Sequence, residues 1–151
     1  SYWMFRTGFT RPPANSIVQR GTPTATSFKT VDMWPLEMEA HQRLDREIDL
    51  SCCAKIDVDV LNADKHPGTV TVELGLMLHA GPPLRLGPEP ILSKPDLFVN
   101  PVTPVRETLE FNVPWFAQRE FDEFDVIFHR SRERVDRSAR IAIERFVLVP
   151  R

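Results

Sequence analysis

From Cys52 to Val60 the chain alternates: Cys52, Ala54, Ile56, Val58 and Val60 are apolar, while Cys53, Lys55, Asp57 and Asp59 between them are mostly polar. A period of two puts successive side chains on opposite faces of an extended chain. The run therefore predicts a strand with one face on a core and the other in water. The rhythm returns in Val70, Val72, Leu74, Leu76 and Leu78, after a stretch in which Asn62, Asp64, Pro67 and Gly68 supply turn chemistry. Two alternating runs joined by a short polar loop read as antiparallel partners. Leu109, Phe111, Val113 and Trp115 form a third inward set, and Phe124, Val126 and Phe128 a fourth. In the last run, ARIAIERFVLVP, Ile141 and Ile143 point inward, the phase slips near Glu144 and Arg145, and Phe146 and Leu148 resume it, which predicts a bulge.

Shorter strands are predicted in NSIVQ, ATSFKTVDM and LEMEAH, and around Ile91. HQRLDREIDL, with Leu44 and Ile48 four apart, suits one or two helical turns. Fourteen prolines argue against longer helices, because an interior proline loses a hydrogen bond and clashes with the preceding turn. Seven of them fall between Leu78 and Arg106, which reads as one long excursion holding a short strand. The expected fold is all-β, a two-sheet antiparallel β-sandwich of jelly-roll type with about nine strands and little helix. Residues 1–151 form a single domain, with an N-terminal arm over about 1–24 packing on it.

Charge removes some functions from consideration. Nineteen basic residues against twenty-one acidic leave a net charge of −2, so nucleic acid is not an expected partner. No apolar run approaches the length of a membrane helix, so no membrane insertion is expected within this segment. The chain opens on Ser1 rather than Met, as expected of a domain from a longer precursor. An extracytoplasmic location, periplasmic or cell-surface, is favoured.

The alternation assigns Cys52 to the core and Cys53 to the outer face, a structural pair rather than a metal or redox site. No nucleophile elbow, P-loop or HExxH motif occurs, and the chain is not expected to be an enzyme. Aromatic residues gather at the front, where Tyr2 and Trp3 lead and Trp34 follows. They could stack on sugar rings, or simply fasten an arm to the sandwich. The stretch HRSRERVDRSAR carries five arginines. Arg132 and Arg134 are its candidate anion-binding forks, although such a run between two strands reads first as a solvated hairpin loop.

Two segments resemble a known family. SARIAIERFVLVPR is similar to the last strand of carbohydrate-binding modules with the galactose-binding-domain-like jelly roll, and WPLEMEAHQ resembles an early strand of the same modules. The resemblance implies a structural calcium ion, with Glu39 and Glu144 as candidate ligands. Together these features suggest a non-catalytic binding or accessory domain of a larger protein, with a glycan or another protein domain as partner. The alternative is a structural or protein–protein interaction β-sandwich with no small-molecule ligand.

Overall fold

The computed structural model describes residues 2–5, 37–79, 81–117, 120–131 and 140–151, with the side chains of 2–5, 37 and 38 outside the description. Eight strands are present among these residues: β1 (Tyr2–Phe5), β2 (Glu37–Asp49), β3 (Cys53–Asn62), β4 (Val70–Leu78), β5 (Leu84–Pro90), β6 (Val105–Asn112), β7 (Glu120–Arg130) and β8 (Ile141–Pro150). Apart from a single 3-10 turn at Leu50–Cys52, the described residues contain no helix. Four strands in the order β2-β7-β4-β5 face three in the order β6-β3-β8, and β1 adds to the free edge of β2. All strand pairings are antiparallel. The expected all-β two-sheet sandwich is the observed architecture.

The core lies between the sheets. Val72, Leu74 and Leu76 of β4, with Val126 and Phe128 of β7, meet Ile56, Val58 and Val60 of β3, Leu109 and Phe111 of β6, and Ile141 and Ile143 of β8. Burying side chains of this size contributes roughly 1.5–3 kcal/mol each, which is what commits the alternating runs to one face. The slip in the last strand is also present: β8 shifts register against β3 where Ile143 pairs with Val60 and Arg145 with Asp59. Phe146 then turns back inward and stacks on Phe124 of the opposite sheet, with ring centroids 4.2 Å apart and planes at 3°.

Several expectations are corrected. β3 and β4 are not partners: β3 pairs with β6 and β8, whereas β4 pairs with β5 and β7. A short loop can cross between stacked sheets about 10 Å apart as readily as it can close a hairpin. β7 and β8 likewise lie in different sheets, so these two strands do not form a hairpin. HQRLDREID is extended within β2. Leu44 and Ile48 both pack against the core, and a spacing of four is a multiple of the strand period as well as close to a helical turn. The strand within the Pro-rich excursion is β5, with Ile91 buried just beyond it.

The cysteine register is reversed, with Cys53 buried and Cys52 exposed. The cause is the 3-10 turn. Asp49 caps it, accepting hydrogen bonds from the Ser51 backbone N–H and hydroxyl at 2.8 Å each, so β3 starts only at Cys53. A register shift between Cys53 and Lys55 then restores the expected phase at Ile56. Trp115 is not in the core but 80% exposed. Pro114, lacking an N–H, follows the end of β6, and Ala117 N–H bonds Pro114 O at 3.0 Å to close a turn that carries Trp115 outward. At Gly87 the backbone adopts φ +93°, and a Cβ there would come within 2.9 Å of the Phe111 ring, so this position in β5 requires glycine.

Candidate functional site

Two places gather chemistry. The first is the end of the sandwich formed by the β2–β3, β4–β5 and β6–β7 connections. Leu50, Leu78, the run Pro82–Leu84, Phe116 and Ala117 line an apolar cavity of about 260 Å³. Trp115 and Phe116, 80% and 68% exposed, stand beside it edge to face with centroids 5.9 Å apart. Polar groups belong to the same connections: Asp49 and Ser51 flank Leu50, and an exposed His79–Glu47 pair at 2.7 Å sits where β4 ends. The hydrogen bonds from Ser51 hold the Asp49 carboxyl below the usual carboxylate range, so it is an ionised acceptor at neutral pH.

The second lies on the outer face of the larger sheet, where β2 and β7 run side by side. Ala40 and Val126 point into the core, so their neighbours Glu39, His41, Glu123 and Asp125 take the other face. His41 pairs with Asp125 in register, and Glu39 with Ile127. His41 Nδ1 lies 2.7 Å from Glu123 Oε1, and Nε2 lies 3.3 Å from Glu39 Oε2 and 3.6 Å from Asp125 Oδ1. Although this is the outer face, Glu39, His41 and Asp125 are all buried. Gly75 of β4 lies opposite Asp125, and its missing Cβ would sit 3.1 Å from Asp125 Cβ, so glycine leaves room for that carboxylate. Nearby, Arg85 of β5 donates to Glu73 of β4 at 2.6 Å. Its pKa is raised chiefly by that bond, with the fields of Asp125 and Glu39 adding to it.

Of the residues singled out in the sequence, Glu39 enters this cluster. Glu144 does not: it lies in β8 of the other sheet, held by two 2.6 Å hydrogen bonds from Arg106 that lower its carboxyl pKa. The first and last strands are not neighbours, so the two carboxylates do not converge as the resemblance implied. Tyr2 and Trp3 fall in β1, beside the cluster, with Tyr2 in register with His41 and their side chains outside the description. Trp34, Arg132 and Arg134 lie outside the described residues, as does the N-terminal arm apart from β1. His41, Glu123 and Asp125 were not anticipated. The first is separated from Glu123 by 82 positions, and only strand pairing, which no local motif encodes, joins them.

The chain matches no family model and no curated protein.

Proposed function

We propose that this chain is a non-catalytic, glycan-binding accessory domain of a larger extracytoplasmic protein, and that it binds at the Trp115–Phe116 end. The observation that carries this reading is the exposed aromatic pair beside an apolar cavity. A flat ring with its face open to water offers the apolar face of a pyranose a stacking surface, and Asp49 and Ser51 nearby supply hydrogen-bonding partners for hydroxyls. The jelly-roll reading is supported by the pairing. Strands β4·β5, β3·β6 and β2·β7 are nested antiparallel pairs, as if one long hairpin had been rolled up, which is the arrangement of such sandwiches. Here β8 lies against β3, and β1 stands beside β2 instead of β8.

The test is a titration with a panel of neutral and acidic oligosaccharides followed by tryptophan fluorescence. A ligand should perturb the emission, and Trp115→Ala and Phe116→Ala should each abolish binding. Both changes should alter stability by no more than about 0.5 kcal/mol, because the side chains are exposed. Trp3→Ala tests the front of the chain independently. A flat response across the panel would overturn the glycan reading and favour the second one, a protein interaction domain. That alternative is supported by the exposed run Leu97, Phe98 and Val99 on the β5–β6 connection, where Phe98 is wholly exposed.

A further inference from the structure

The geometry around His41 gathers the donor atoms of a cation site. A neutral imidazole carries one N–H and one lone pair, so it can donate toward only one side. His41 has carboxylates on both sides: Glu123 at Nδ1, and Glu39 with Asp125 at Nε2. The 2.7 Å contact to Glu123 is a strong hydrogen bond, and it places the N–H on Nδ1. With that tautomer the Nε2 lone pair lies on the same side as an oxygen of Glu39 and one of Asp125, making a set of three donor atoms.

Distance decides what those three atoms suit. The separations of 3.3 and 3.6 Å are long beside charge-assisted N–H···O bonds, which close to about 2.7–2.9 Å. Tetrahedral donors bound at roughly 2.0–2.1 Å stand about 3.4 Å apart, which the two separations bracket. One ligand atom from each of Glu39, His41 and Asp125 lies within 4.8 Å of the others. We infer that Glu39, His41 and Asp125 form a binding site for one divalent transition-metal ion, zinc in particular, with Glu123 as the residue that orients His41.

The donor chemistry agrees. One imidazole and two carboxylates suit zinc better than calcium, which takes six to eight oxygens. A carboxylate on the far nitrogen of a ligating histidine fixes its tautomer and raises its basicity, and that is the position of Glu123. A divalent ion would also interact favourably with the three carboxylates gathered on adjacent strands. The ion would tie β2 to β7, neighbours in the larger sheet, and would do so away from the loop end proposed to bind glycans.

The test uses the whole chain on a Cys52→Ser background, so that the exposed thiol does not compete for metal. After dialysis against a chelator, titration with zinc chloride in a calorimeter should show one ion per chain. Cobalt chloride should give visible ligand-field bands that zinc displaces. His41→Gln should abolish both signals, Glu123→Gln should weaken affinity about ten- to hundredfold, and His79→Gln, an exposed histidine, should change nothing. Asp125→Asn, close in size, serves as the second ligand variant where circular dichroism shows His41→Gln unfolded. Imidazole ¹⁵N shifts of the zinc-treated parent should report metal on Nε2 of His41. Absence of binding, binding unaltered by His41→Gln or Asp125→Asn, or a protonated Nε2 in the presence of zinc would each overturn the inference.

Discussion

Cys52 and Cys53 are adjacent yet chemically unlike, because a 3-10 turn ends between them. Cys53 is 1% exposed, and its pKa is pushed up to about 12, first by burial and then by the hydrogen bond with Cys52, whose sulfur lies 2.9 Å away. The thiolate is the reactive species, so Cys53 should be inert near pH 8. Iodoacetamide should label Cys52 in the folded protein and Cys53 only after unfolding, as read by peptide mass spectrometry. Equal labelling of both would contradict the observed register. The linkage has a definite sign. Keeping Cys53 neutral contributes fully below the unfolded thiol pKa of about 8.5, and that contribution erodes as pH rises from there toward about 12. Cys53→Ser should flatten the alkaline decline in stability. Periodicity alone assigned these sulfurs the wrong way round, because a capped turn consumed one residue of phase.

At the scale of elements, the smaller sheet is laced on its outer face. Asp59 of β3 accepts from Thr108 Oγ1 of β6 at 2.6 Å and from Arg145 Nε of β8 at 2.5 Å, one partner on each side in register. Its carboxyl is held below the ordinary range, first by Thr108 and then by Arg145. Asp59 is 3% exposed, but the Arg145 side chain is 63% exposed, and solvent screens its charge. Asp59→Asn should therefore cost about 1–3 kcal/mol at neutral pH, toward the lower end. With a depressed folded pKa, the carboxylate's contribution is present above about 3.9 and disappears as pH falls through the folded value. Urea titrations of parent and variant should thus diverge at pH 7 and draw together in acid. A gap that is constant with pH would mean the charge contributes nothing. Such elements were largely legible: the alternations around Ile56, Val72, Leu109 and Val126 and the slip at Glu144 are all present. Pairing was not legible, since an alternating strand states which face is wet but not which strand lies beside it. The His41 cluster was hidden for the same reason.

For the whole molecule, the nested pairings mean that most of the fold is made of distant contacts. His41 meets Glu123 across 82 positions, and Asp59 meets Arg145 across 86. Among the described residues of the sandwich core, only β4 and β5 form a local hairpin, joined by a five-residue connection, and it sits at the far edge of the larger sheet. Closing a long loop costs entropy before its contacts are gained, so a topology of this kind folds slowly for its size. Refolding should occur over milliseconds to seconds, not microseconds. Fourteen prolines make the unfolded chain heterogeneous, and isomerisation takes tens of seconds. The measurement should therefore use brief unfolding followed by dilution, which isolates molecules whose prolines have not had time to exchange. Under those conditions the main phase should be a single exponential in that range. Its folding and unfolding limbs should together reproduce the equilibrium denaturant dependence. A dominant microsecond phase would mean that local contacts, not the β2·β7 and β3·β8 pairings, govern how this chain folds.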